Sequence, residues 1–262
     1  MKIISKLYTS LIFIFLYAPI AVMIVFSFNE SKSRSTFTGM SLKWYTKLFQ
    51  DSEILKAFAN SIIIAIVASL LATIIGTAAS VGITKMKRWL QKFIMNMTNL
   101  PMINPEIVTG VSLMILFVLF YEFLGIFQPG MFTLVLAHTT FCLPYIILSI
   151  LPRLRQMNQH LYEAAQDLGC TPMKAFFKVV LPDIMPGIFS GFVMAFTLSL
   201  DDFVISYFTS GVTQTLPIAI YSMTRRIVSP EINALSTILF VGVLTLLVLI
   251  NLKQIRELRE VD

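Results

Sequence analysis

The run Phe58–Thr84, FANSIIIAIVASLLATIIGTAASVGIT, holds 27 residues and not one charge. A helix rises 1.5 Å per residue, so about 20 apolar residues cross a hydrocarbon core of roughly 30 Å. This stretch reads as a membrane-spanning helix, and that reading decides the fold class. Further apolar runs extend over Leu7–Phe28, about Ile103–Tyr121, Met131–Leu151, Ile184–Phe208 and Ala234–Leu252, so six spans are predicted. Composition agrees: hydrophobic residues make up 56% of the 262, charged residues 13%, and mean hydropathy is +0.81. A soluble domain carries about 25% charge to meet water, twice what this chain offers. Disorder is excluded by the same numbers.

Lys2 and Lys6 ahead of an apolar stretch also describe a secretory signal. The uncharged core of 22 residues exceeds the roughly 7–15 of a signal peptide, and Ser27-Phe28-Asn29-Glu30 offers no small-x-small cleavage site. A retained span is expected. Six spans place both termini on one side, and basic residues mark the cytoplasm. With the N-terminus inside, 13 of the 20 Lys and Arg fall in cytoplasmic segments and 7 outside. The cluster Lys85, Lys87, Arg88, Lys92 weighs most. The expected topology is N-in, C-in, and the +6 net charge needs no nucleic acid to explain it. Residues 1–262 read as a single membrane domain.

The segment Pro152–Asp183 is long for a loop between spans. His160–Leu168 is a good helical stretch, with Gly169 suited to the left-handed position after a helix. Thr171 then offers an N-cap and Pro172 a first helical residue. A second short helix, Met173–Val180, is expected to end at Leu181-Pro182. The result is a helix–turn–helix on the cytoplasmic face.

The spacing Glu163-Ala164-Ala165, Gly169, Val179, Leu181-Pro182 resembles the EAA loop of permease subunits in binding-protein-dependent ABC importers, with Val179 where the family pattern has Ile. More narrowly, Lys43-Trp44-Tyr45, Phe141–Pro144, Ser199-Leu200-Asp201-Asp202 and Ser229–Ala234 are similar to the spermidine/putrescine branch of that family. The resemblance covers nearly the whole chain. It implies an all-α membrane protein with the type I importer permease (MetI-like) fold in a bacterial inner membrane. It also implies a coupling loop at about residues 153–183 that sits in a cleft of a separate ATPase. The implied partners are a second homologous permease, two ATPase subunits that bind ATP and Mg, and a soluble polyamine-binding protein outside. The outer loops Asn29–Ala57 and Thr209–Asn233 would then face that protein.

No catalytic set accompanies the spans. None of the 11 glycines precedes a Lys, so there is no Walker A loop to hold nucleotide phosphates. HExxH is absent, neither His138 nor His160 has a partner at metal-ligand spacing, and Gly187–Gly191 misplaces its Ser for a nucleophile elbow. Gly187 and Gly191 fit a GxxxG helix contact or chance. Charges within spans are costly and mark function by default. Asp201 and Asp202 lie in the fifth run and Glu106 opens the third. With Phe203 and Tyr207 they form a candidate path for a linear polycation, through charge-assisted hydrogen bonds and cation–π contact. Adjacent residues point about 100° apart on a helix, so one Asp at most faces a pore squarely. The other reading has an Asp capping a break in the fifth span or pairing with the partner permease. Glu106 after Pro105 also suits a plain helix start. The spans hold no Lys or Arg, which favours a cationic or neutral solute over an anion.

Overall fold

The structure, a computed structural model, describes residues 2–32, 36–225 and 230–259. Arg34, Arg226 and Ser229 of the segments above lie outside the described residues. The chain divides into two compact units, residues 57–218 and the two flanking segments 1–56 and 219–262.

In the flanking unit, α1 (Lys2–Ser27) runs unbroken through Pro19 and exposes its apolar length. α2 (Lys43–Gln50) is an amphipathic helix in the loop after it. The indole of Trp44 is buried and donates to the Asn29 carbonyl at 2.6 Å, while the Asn29 amide donates to the Thr36 carbonyl at 2.8 Å. That bonding folds the loop back on itself. α12 (Glu231–Arg259) packs on α1 and α2, and Lys47 pairs with Glu231.

The central unit starts within α3 (Ser52–Lys85). Thr73, Thr77 and Ser80 each donate to the carbonyl four residues back, which satisfies hydroxyls in a helix that has no water to turn to. α4 (Arg88–Ile103) is a further amphipathic helix. α5 (Glu106–Leu124) begins later than the predicted third run because Asn104 and Pro105 are extended. α6 (Met131–Gln156) carries Pro144 in its interior and is the most buried of the long helices. The core centres on its Ile146, Ile150 and Leu154 against Ile184 and Ala195.

α7 (Gln159–Asp167) and α8 (Pro172–Ala175) form the expected helix–turn–helix. Gly169 takes φ +86°, where a side chain would be strained, and the Thr171 hydroxyl accepts from the Lys174 amide. Two expectations need correction. Leu181-Pro182 does not end the second helix: a π-helical turn, Phe176–Val180, leads straight into α9 (Leu181–Asp201). Pro182 lacks an N–H and would crowd the carbonyl of Lys178 in an α-helix. Widening to i→i−5 bonding relieves that and leaves the Leu181 amide bonded to the Phe176 carbonyl. The fifth run is likewise not one helix. It breaks at Asp202 and resumes as α10 (Val204–Thr209), followed by α11 (Leu216–Arg225). A continuous helix would rise roughly 8–9 Å from the Asp pair to Tyr207, and the break at Asp202 interrupts it.

The Gly187–Gly191 pair is a packing device. A Cβ on Gly187 would lie 2.9 Å from the Arg153 side chain and 3.1 Å from the Ser149 carbonyl, so α6 and α9 approach as closely as glycine permits. Among the described residues, five helical segments are long and apolar enough to cross a membrane: 6–27, 52–85, 106–124, 131–156 and 172–201. The sixth predicted run falls on α12, whose described apolar part is Glu231–Thr245. The side chains of residues 246 and 249–252 of that run lie outside the described set.

Candidate functional site

Four polar side chains of α6 reach the returning helix in antiparallel order. Ser149 donates to the Gly187 carbonyl at 2.9 Å and Cys142 to the Ala195 carbonyl at 3.4 Å. His138 lies 2.7 Å through Nδ1 from the Ser199 hydroxyl and 3.0 Å through Nε2 from the Ser206 hydroxyl. Thr133 donates to the Thr209 carbonyl at 2.9 Å. Between Ser199 and Ser206 the helix breaks. Asp202 is extended there, with φ −64° and ψ 119°. Its carboxylate accepts from the amides of Ile205 at 3.4 Å and Ser206 at 2.9 Å, so it caps α10. Its Oδ2 is 3.7 Å from His138 Nε2, and both side chains are buried.

The two aspartates therefore part company. Asp202 turns inward and is consumed by backbone amides, while Asp201 is exposed. Tyr207 is 48% exposed, Phe203 half-buried, and their rings are 5.4 Å apart. Gly110 of α5 seats α10: a Cβ there would be 3.0 Å from the Phe208 ring. Glu106 precedes Gly110 by four residues, hence by about one turn on the same helix face, and it too is exposed. Asp201, Glu106 and Tyr207 are thus each exposed, whereas the polar cluster around Asp202 is sealed.

The helix–turn–helix lies at the opposite end of α9. Asn158 caps α7 by accepting from the His160 amide at 3.1 Å. Glu163 is exposed and lies 3.2 Å from His160 Nδ1. Leu161, Ala164 and Leu168 share one face of α7 by spacing, and all three are exposed, as are Met173 and Phe177 beyond the turn. Ala165, Val179 and Leu181 are half-buried, and Pro182 is exposed where α9 begins. Behind the loop is a cavity of about 790 Å³, lined by Lys85, Arg155, Tyr162, Glu163 and Phe176 among others. Lys85 stands 5.9 Å over the Tyr162 ring and ties the end of α3 to α7.

His138, Ser199 and Ser206 were not among the residues the sequence singled out as a site. One signal was available, since His138 is an ionisable group within an apolar run. Its partners, 61 and 68 residues away, were not legible. Among the described residues, no three His, Cys, Asp or Glu side chains gather in a way that could hold a metal ion.

Residues 72–255 match the family described as binding-protein-dependent transport system inner membrane component. The putrescine transport system permease protein PotI of Escherichia coli is 43% identical over 230 residues, covering 87% of this chain and 82% of that protein. The spermidine/putrescine transport system permease protein PotC of Haemophilus influenzae is 38% identical and covers 92% of each chain. Among solved structures, a bacterial ABC transporter involved in import of the acidic polysaccharide alginate superposes with a TM-score of 0.73 over 95% of both chains at 12% identity. At that identity the likeness concerns the fold, which is that of an ABC importer permease.

Proposed function

The chain belongs to the family of binding-protein-dependent transport system inner membrane components, and from that premise we propose that it is one permease of an ATP-driven polyamine importer. Members of the family are non-catalytic parts of a transport complex, in keeping with the absence of a nucleotide-binding motif from the sequence. The substrate reading rests on one observation above all: Asp201 at the helix break and Glu106 at the start of α5 are exposed carboxylates, and Tyr207 on α10 is an exposed aromatic ring. A linear polyamine loses hydration on entering a membrane protein. Carboxylates and an aromatic face replace it with charge-assisted hydrogen bonds and cation–π contact. Permeases named for putrescine and spermidine are among the similar proteins.

In this reading the chain supplies half of the pore and a second homologous permease the other half. Both termini are cytoplasmic. Two ATPase subunits, which bind ATP and Mg, grip the apolar face of α7 and α8 beside Glu163, Ala164 and Ala165. Their closure is transmitted through Val179, Leu181 and Pro182 into α9, which the π-helical turn joins to the loop without an interruption. A soluble binding protein delivers the polyamine from outside.

The test is uptake of labelled putrescine and spermidine into proteoliposomes holding the complete importer and its binding protein. Asp201→Asn with Glu106→Gln is expected to lower uptake per ATP hydrolysed by about tenfold, the loss of one to two charge-assisted contacts. Unchanged uptake per ATP would remove both carboxylates from the substrate path.

A further inference from the structure

We propose that the cavity behind the helix–turn–helix binds the headgroup of an anionic phospholipid through Lys85 and Arg155, with the start of the acyl chains on the apolar wall of α3. The consequence for transport, though not the site itself, rests on the coupling reading above. The walls all come from the central unit: the ends of α3 and α6, the start of α4, and α7, α8 and the π-helical turn. At about 790 Å³ the cavity falls within the roughly 300–1,000 Å³ of small-molecule sites. Its wall changes character along α3. Ala78 and Val81 lie in the uncharged run, and Lys85, two turns beyond Ala78 on the same face, is the first charge after it. Seven residues of helix rise about 10 Å, so apolar surface gives way to a cation over that distance. Lys85 is the last residue of α3 and stands where the span leaves the hydrocarbon, at headgroup depth. Met157 and Phe176 add half-buried apolar surface, and Arg155 on α6 adds the second cation.

Neither cation is spent within the protein. Among the described residues, no carboxylate lies within ion-pair distance of Lys85 or Arg155. Lys85 has the Tyr162 ring at 5.9 Å, which leaves its ammonium donors to take an anion. Glu163, the single carboxylate among the lining residues, lies 3.2 Å from His160. The Gln91 amide donates to the Thr84 and Met86 carbonyls and so fixes the turn between α3 and α4. Basic pockets between helices at a membrane surface take phospholipid headgroups. The charge nearby agrees, since Lys87, Arg88 and Lys92 follow Lys85 in the chain. A soluble anion would meet the cations and leave Ala78 and Val81 uncovered. A zwitterionic lipid would cover those residues and bring its own ammonium to two cations. An anionic phospholipid matches both parts. The walls belong to α3 and α6 and to the helix–turn–helix, so a lipid held there braces one against the other.

The experiment maps the lipid directly. The complete importer is reconstituted in phosphatidylcholine vesicles with a trace of phosphatidylglycerol that carries a photoreactive diazirine beside its glycerol. Adducts, located by mass spectrometry, are expected on residues 78–85, Met157 or Phe176, and unlabelled phosphatidylglycerol should suppress them. Lys85→Gln with Arg155→Gln should lower their yield by about tenfold or more, the worth of two cations at a membrane surface. Both side chains are exposed, so the fold does not depend on them. Ala78→Phe, which fills the apolar end and keeps both cations, should lower the yield as well. Adducts only outside the cavity, or a yield indifferent to these variants, overturn the proposal. So do equal adducts from a phosphatidylcholine probe. Suppression by inorganic phosphate would reveal a site for a soluble anion and overturns the lipid likewise. Uptake gives the second readout. Uptake per ATP should rise as phosphatidylglycerol replaces phosphatidylcholine, and Lys85→Gln with Arg155→Gln should abolish that rise. If the adducts form as expected while neither lipid composition nor Glu163→Lys alters uptake per ATP, the coupling reading falls and the lipid site stands.

Discussion

The two ends of α9 are built in opposite ways. At its start the helix emerges from a surface loop whose features lie within 25 residues of one another: Asn158 capping α7, Glu163, the turn at Gly169, Thr171 capping α8, and Pro182 after the π-helical turn. At its end it stops inside the protein. There Asp202, Ser206 and Ser199 are satisfied by one another and by a histidine from a different helix. The first region offers apolar and charged groups outward. The second must complete itself, because a polar group at membrane depth has no water to fall back on. An exposed region therefore tolerates substitution in stability and fails in coupling. A sealed one fails in stability first.

The largest effect should separate the two aspartates. Asp202→Ala strips two backbone amides of their acceptor in the interior, and a loss of about 2–3 kcal/mol is expected. It should appear as a lower midpoint in thermal unfolding of the detergent-solubilised complex. Asp201→Ala, two-faced in sequence but exposed in the fold, should stay within about 0.5 kcal/mol in the same measurement. Equal losses would break the distinction between an inward and an outward carboxylate.

The next effect tests the other region in the opposite currency. Glu163→Lys reverses an exposed charge on α7, so the complex should unfold where the parent does. Uptake per ATP should nonetheless fall by about tenfold or more, the worth of one charge-assisted contact at an interface. Coupled transport at the parent rate would show that the loop is only a surface turn.

Smaller effects calibrate the loop itself. Gly169→Val forces a side chain into the left-handed region at φ +86°, for about 1–2 kcal/mol. Nothing lies within 4 Å of the added Cβ, so the cost is one of backbone alone and Asn should recover part of it. Smallest is Thr171→Ala, which removes an exposed cap for about 1 kcal/mol. Both are read from unfolding midpoints. Losses well above these would mean that the loop is as tightly integrated as the break.

The pattern of apolar runs was legible because a bilayer demands it: length and hydrophobicity alone define a span. The helix–turn–helix after α6 was legible because caps and turns are relations between near neighbours. The Gly187–Gly191 spacing was visible, but its use required knowing that Ser149 and Arg153 lie opposite. Two local readings failed for a shared reason. Leu181-Pro182 reads as a stop, yet packing of α9 on α6 keeps the helix going at the cost of a π-helical turn. Ile184–Phe208 reads as continuous, yet the chain gives up two helical residues to cap α10 and meet His138.

Composition and spacings shorter than a few turns are enough to establish a helical membrane protein without a nucleotide-binding motif. Which aspartate faces outward and which caps α10 is settled by packing. That choice depends on a histidine more than 60 residues away, brought into reach when α9 packs on α6 through Gly187 and Gly191. Hydrophobicity sets where a helix lies, but pairing across helices sets which of its polar groups remain free to act.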